Sequence, residues 1–525
     1  MSGGPQEPID IDVGRQLFVD DALVARTDLQ RTFHSPTPDV GNPIFVPTTE
    51  VERNGGVMPT AAIASVLHDP ADGLFKMWYM AGYDDGFAYA TSADGLEWRR
   101  PRLDIVPGTN LFLKPRPGYV RNAASVWIDH AAADRAGRFK MFAFHRAGTG
   151  SWPRATPFPA PPDAEVAHLF TSADGIHWNE RVRTGPCGDN TTLFPNPFRN
   201  VWAYSIRTFE GKRGRARSYH EHHDFLASAR WQEGEPSHWL EADVRDRPDP
   251  VLGYRPELYK MDCVAYESLM LGMFALYRGP PNHVASETGV PKTLDLEAGF
   301  SRDGLSWDRP CRSAFLAASR SPGRWDRGYL HASGGVCLVV GDELRFYYSG
   351  FSGISPAQGG GPYAGGRLGV ARLRRDGFAS MDGPGVAMPP VTRTGSRRAM
   401  PPDYEESEGT LTTRVVQFSG AHLFVNVDVF AGGLRVEVLD PDGVPIEGFG
   451  RDACRGVTDN ATKAEVTWRD TRLASLAGRP VRFRFHLASG RLYSFWVSAS
   501  ESGASGGYVA AGGPGFVAGT DTTGA

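Results

Sequence analysis

Ser92-Ala93-Asp94-Gly95-Leu96-Glu97-Trp98 returns as Ser172-Ala173-Asp174-Gly175-Ile176-His177-Trp178 and again as Ser301-Arg302-Asp303-Gly304-Leu305-Ser306-Trp307. Each copy follows a short run that reads as a β-strand. Asp-Gly between extended runs marks a hairpin, because glycine takes positive φ without steric cost and the Asp carboxylate bonds the backbone two residues on. A looser fourth copy is Arg375-Asp376-Gly377-Phe378. The four Asp-Gly pairs lie 80, 129 and 73 residues apart, and halving the middle interval predicts a concealed unit near residue 238, between Trp231 and Trp239. That makes five units of roughly 65–80 residues, a repeat architecture.

Upstream of each hairpin a small-residue, β-branched run precedes an aromatic run: residues 61–67 with 75–79, 123–128 with 139–144, 191–194 with 201–206, 263–266 with 273–277, and 334–339 with 344–348. Four strands per unit in five units predict an all-β fold, a five-bladed β-propeller over residues 1–382. Small residues suit the crowded inner strand, and aromatics suit the layers between blades. Beyond Met381 the texture changes. Residues 383–404, rich in Pro and Arg, read as a linker, and the alternating runs of 405–500 read as a β-sandwich. The Gly, Ala, Ser and Thr of residues 501–525 predict a flexible tail unless something pins it.

Length and composition narrow the function. The chain has 525 residues, with 62 Gly and 40 Pro against 41% apolar content, a turn-rich globular protein with ample core. A formal charge of −4 excludes a global field that would hold nucleic acid or an anionic membrane. Five scattered cysteines without a CxxC spacing argue against a zinc knuckle or a disulfide framework. Neither a secretory leader nor a long apolar stretch is visible, which predicts a cytoplasmic protein. The run His220-Glu221-His222-His223 lacks the HExxH helical register, so no metal and no cofactor is expected, and the basic run from Lys212 to Arg217 reads as exposed.

In a propeller the starts of the inner strands converge on one axial funnel, the default ligand site. Aligning those strands on their apolar cores puts Thr60, Arg121, Asn122, Asp189, Asn190, Asp262 and His331 at its mouth. Asp189 and Asp262 then face each other from adjacent blades. Two carboxyls with pKa values pushed apart are what glycosidic cleavage needs. Glu267, in Tyr266-Glu267-Ser268, is the expected proton donor, with the reservation that a strand ending at Tyr266 would carry it to the far end. Glu52 is a candidate to supply the carboxylate that Thr60 does not, and Arg207 ends an aromatic strand beside the mouth. The expected set is therefore Asp189, Asp262 and Glu267 as catalytic residues, with Glu52, Asn122, Asn190, Arg207 and His331 binding substrate. Each acid also has a structural reading: a turn cap for Asp189, a hydrogen-bond acceptor for Asp262, a turn residue for Glu267.

Together the five units, the Asp-Gly-x-x-Trp hairpins and the trailing sandwich resemble the five-bladed propeller glycosidases, the superfamily of glycoside hydrolase families 32 and 43. The phrases Leu17-Phe18-Val19-Asp20-Asp21 and Arg374-Arg375-Asp376-Gly377-Phe378 resemble a bacterial family 32-like branch. The resemblance implies a first-blade Asp, a substrate-positioning Asp and a Glu acid near the axis. Carried over by blade, the resemblance points to Asp189 and Asp262, with Glu267 as the acid, and leaves the first-blade carboxylate unassigned because Thr60 stands at that position. The Asn-Asp-Pro-Asn, Arg-Asp-Pro and Glu-Cys motifs of family 32 are absent from this chain. The expected activity is hydrolysis of a terminal furanosidic sugar from a small oligosaccharide or glycoside. The alternatives are a phosphorylase on the same scaffold and a non-catalytic carbohydrate-binding propeller. The expected partner is a small carbohydrate, with neither nucleic acid nor membrane, and a homo-oligomer is left open.

Overall fold

The computed structural model describes residues 7–53, 60–83, 86–114, 118–147, 165–212, 214–353, 363–384, 386 and 408–525, apart from the side chains of residues 120–122, 147, 166, 209–210 and 286. The chain divides into two units. Residues 35–373 and 509–519 form one, and residues 1–34, 374–508 and 520–525 form the other.

The first unit is a five-bladed β-propeller. Blade 1 is Ala61–Asp69, Leu74–Ala81 and Gly86–Ser92, with the bridge Thr91 to Arg99 at its outer edge. Blade 2 is Tyr119–Ile128, Phe139–Ala147, Glu165–Ser172 and Asn179–Arg183; blade 3 is Thr192–Asn196, Val201–Gly211, Gly214–His222 and Ser237–Glu241. The concealed unit expected near residue 238 is this third blade. Blade 4 is Glu257–Glu267, Leu269–Gly279 and Thr293–Ser301. Blade 5 has a broken inner strand, His331–Ala332 and Leu338–Val340, followed by Glu343–Phe351 and Gly366–Arg374. Its outermost strand is Thr37–Pro38, from the start of the chain. The ring is therefore closed without a covalent link, clamped by Arg372 to Asp39 at 2.7 Å and by Asn42 on both backbone groups of Val370.

The Asp-Gly repeat has a second purpose beyond turning the chain. In each of the three Ser-x-Asp-Gly copies the Ser hydroxyl accepts the Gly N–H while the Asp carboxylate accepts the next two N–H groups. The turn's own carbonyls are left pointing at the preceding blade. Trp78 Nε1 donates to Gly175 O at 2.7 Å, Asn196 Nδ2 to Asp303 O at 2.9 Å, and Tyr347 Oη to Gly95 O at 3.0 Å. Nearer the axis, Ser65 Oγ accepts Val126 N–H from the next blade, and Ser333 and Ser349 accept Val66 and Ile63 N–H across the closing seam. Small hydroxylated residues let inner strands approach this closely.

The second unit is a continuous nine-stranded sheet built on two long antiparallel strands, His422–Leu439 and Arg482–Ser498, around a core that includes Phe18, Phe483, Phe485, Phe495 and Trp468. Gln16–Leu17, Val24–Thr27 and Gln30–Phe33 join it, so residues 7–34 pack here, not with the propeller. The fourth Asp-Gly copy also lies in this unit. Asp376 is fully buried and takes hydrogen bonds from Arg15, Ser494 and Asn426. Most of the expected linker lies outside the described residues.

The tail is held. Within the propeller unit, Ala510 N–H bonds Ala265 O, His68 N–H bonds Ala511 O and Val339 N–H bonds Gly512 O, so this segment ties blades 1, 4 and 5 at the ends of their inner strands. A Cβ on Gly513 would lie 1.7 Å from Val339 O. Small residues are here a steric requirement, not a mark of disorder. Residues 520–525 are fastened by Asp521, whose carboxylate accepts Gly524 N–H at 2.7 Å. No helix among the described residues is long and apolar enough to cross a membrane.

Two glycine substitutions separate the turn's conformational demand from its docking demand. Gly73 and Gly175 have φ of 70° and 78°; a Cβ on Gly73 meets nothing, whereas one on Gly175 lies 2.7 Å from Trp78 Cζ2. Gly73→Ala should cost about 1 kcal/mol and Gly175→Ala about 3 kcal/mol, from strain plus overpacking. Urea unfolding of both variants measures this, and equal losses would contradict the staple.

Candidate active site

The inner strands all run away from one end of the ring, so that end collects the starts of first and third strands and the ends of second strands. Asp189 stands there, just ahead of Thr192–Asn196. It follows Gly188, where a Cβ would lie 2.2 Å from Arg207 Nε, so the glycine admits the guanidinium. Asp189 pairs with Arg146 at 2.7 Å and Arg207 at 2.9 Å, and Glu165 pairs with the same two arginines at 2.9 and 3.4 Å. The four side chains form a closed square of alternating charge. Burial opposes ionisation of Asp189, but Arg207 and Arg146 outweigh it and hold the carboxyl well below the usual range.

Blade 4 continues the array. Its inner strand begins at Glu257, not at Asp262, so Glu257 is its mouth residue and pairs with Arg215 at 2.6 Å. The Arg215 guanidinium lies 5.0 Å from the Tyr259 ring and 5.2 Å from Tyr277. Lys292, fully buried just before the third strand, is surrounded by Tyr259, Tyr277, Tyr329 and Tyr363 at 4.6–5.1 Å from their ring centroids. Its ammonium donates to Tyr363 Oη at 2.9 Å, and burial together with Arg215 pushes its pKa well below the ordinary lysine value.

Asp262 lies deeper in the same strand, 2% exposed. Lys260 bonds Oδ2 at 2.9 Å, while Oδ1 has no hydrogen-bond partner among the described residues. Burial raises its pKa despite the opposing charge of Lys260. Arg217, also fully buried, ties its strand to that of Asp189, donating to Asn190 O at 2.7 Å and Tyr259 O at 3.1 Å. His331 packs against Tyr329 and Tyr259, and its Nε2 has no hydrogen-bond partner among the described residues; burial, Lys260 and Lys292 hold its pKa well below 6.5.

Thus Asp189, Asn190, Arg207 and His331 gather at the expected end, with Asp262 below them. Asn190, at φ 58°, contributes its carbonyl to Arg217. Glu267 does not join them. It closes the tight turn after its strand at φ 49°, five residues beyond Asp262 and so about 16 Å further along. Glu52 is fully buried and satisfied by Thr48 N–H, Thr49 N–H, Tyr79 Oη and Arg100 Nε, a buttress with no oxygen left for substrate. The side chain of Asn122 lies outside the described residues. The sequence reading missed Arg146, Glu165, Arg215, Glu257 and Lys292. A signal was present for the first of these: the second strand of blade 2 carries Arg146 one residue before its end. Among the described residues no group of three or more His, Cys, Asp or Glu could hold a metal.

Asp189→Asn leaves two guanidiniums facing one carboxylate and should destabilise the propeller by about 3 kcal/mol at neutral pH. Because the Asp189 pKa is depressed on folding, that stabilisation is present above the unfolded value near pH 4 and is lost as pH falls towards the folded one. Chemical unfolding of wild type and variant from pH 7 to pH 3 should show the two stabilities converging below about pH 4; a constant gap would contradict the assignment.

No protein-family model matches the chain, and no curated protein matches it. Similar solved structures include an N-acetylgalactosamine deacetylase from F. plautii in complex with blood group B trisaccharide, 14% identical over 66% of this chain and 96% of that one, TM-score 0.43. A thermostable family-43 glycoside hydrolase is 14% identical over 64% and 96%, TM-score 0.40. A fructofuranosidase from Schwanniomyces occidentalis is 8% identical over 91% and 98%, TM-score 0.37. Likeness this distant says nothing about what this chain binds.

Proposed function

We propose that the protein is a glycosidase that removes the terminal sugar of a small oligosaccharide or glycoside at the Asp189 end of the propeller axis. One observation carries this reading: two carboxyls from neighbouring blades are displaced in opposite directions, Asp189 towards the ionised form and Asp262 towards the neutral one. Cleavage of a glycosidic bond needs a carboxyl that gives up a proton to the leaving oxygen and another that stays negative beside the oxocarbenium-like sugar. Asp262, with Oδ1 unpartnered, is the proton donor in this reading. Asp189 is the anion, and Arg207, Asn190 and His331 position the sugar. Glu267 takes no part.

A furanosidic sugar is the class to test first, on the resemblance of the repeats to families 32 and 43. Arg146, Arg207 and Arg215 beside the acids favour a second reading, in which inorganic phosphate replaces water as the acceptor.

A panel of aryl furanosides and pyranosides, assayed with and without phosphate, tests both. Asp189→Asn and Asp262→Asn should each lower kcat/KM by about 10²–10⁴-fold on the substrate that is turned over. Turnover that survives both substitutions would contradict the assignment, and sugar binding without turnover anywhere on the panel would replace the enzyme with a carbohydrate-binding propeller.

A further inference from the structure

Between the last strand of blade 3 and the third strand of blade 4 lies a cavity of about 630 Å³ that shares no residue with the axial array. Sites for small ligands span about 300–1,000 Å³. Its lining contains five arginines and two aspartates, a formal excess of three positive charges, and no aromatic ring. A neutral sugar would find nothing to stack on, so charge must do the holding.

The arginines fall into two groups. Arg278, Arg312 and Arg320 are locked from behind. Arg278 pairs with Glu297 at 2.7 Å, Arg312 with Asp243 and Asp246 at 2.8 and 2.9 Å, and Arg320 with Asp249 and Asp295 at 2.9 and 2.7 Å. Glu297 is itself held by Arg309 at 3.0 Å. This network fixes the floor before any ligand arrives, which removes an ordering cost from binding. Arg245 and Arg247 differ. Both are exposed at the cavity, and among the described residues neither guanidinium has a partner. Their planar forks match phosphate and carboxylate oxygens.

We propose that this cavity is a second ligand site, one that takes a small molecule carrying two or more adjacent oxyanionic charges, with Arg245 and Arg247 as the mobile clamp and Arg278, Arg312 and Arg320 as the fixed floor. The shared chemistry is the multivalent oxyanion. A pyrophosphate ester and a polycarboxylate are its two sources.

Isothermal titration of the full chain with inorganic pyrophosphate, and separately with citrate, distinguishes them. The expected result is saturable binding of one of the two, weakened at least tenfold in Arg245→Ala/Arg247→Ala, the loss of about two charge-assisted contacts, and falling with added salt. Tighter binding of pyrophosphate assigns a phosphate ester, tighter binding of citrate a polycarboxylate. Both arginines are exposed and unpaired, so the double variant should melt at the wild-type temperature and keep any axial activity. Asp189→Asn, which disturbs only the axial arginines, should leave this binding unchanged. No saturable binding of either probe, or binding that the double variant retains at wild-type strength, would overturn the proposal.

Discussion

Five twisted sheets meet at a common axis only if each is locked to the next, and at three of the five seams the lock is a turn whose backbone is exhausted on one side and free on the other. Ser and Asp consume the N–H groups of the Ser-x-Asp-Gly turn, leaving carbonyls that the neighbouring Trp78, Asn196 or Tyr347 side chain can capture. Buried donors without partners are costly, so an indole or phenol placed between blades almost dictates such an acceptor. The repeat is therefore structural in every copy, and the chemistry must come from residues that do not repeat.

What does not repeat is charge at the open end of the axis. Asp189 and Glu165 share Arg146 and Arg207, and Glu257 holds Arg215. Stacking arginine and carboxylate alternately allows several charges to sit in a narrow, partly desolvated space, since each has an opposite neighbour within hydrogen-bond reach. Lys292 and Arg217 are exceptions, fully buried cations bonded to neutral oxygens. Lys260 and Lys292 help keep His331 neutral, while Arg207 and Arg146 make the ionised form of Asp189 the favoured one.

The blade count, the order of strands and the inner position of the small-residue runs were legible because propeller strands carry their own composition: crowded axis, aromatic layers, polar turns. The axial residues were legible only where they stand at or just ahead of the start of an inner strand, as His331 and Asp189 do. Arg146, Glu165 and Lys292 reach the same place from the ends of second strands and the starts of third strands, and an inspection confined to inner strands passes over them. Blade 4 misled because its inner strand is eleven residues long and begins with a polar stretch, which moved the apparent mouth from Glu257 to Asp262. The tail misled for another reason. Glycine and alanine are equally the composition of a disordered segment and of one squeezed between strands, and only the contacts of Gly513 and Ala510 tell them apart.

The central claim is that two carboxyls on adjacent blades hold different protonation states in one site. Infrared difference spectroscopy of wild type against Asp262→Asn and Asp189→Asn, followed through a pH titration, reads it directly. The protonated-carboxyl stretch removed by Asp262→Asn should persist to pH values above the ordinary aspartate range, while Asp189→Asn should remove none there. A band from Asp262 that disappears at or below the ordinary aspartate value, or one from Asp189 that outlasts it, would contradict the account.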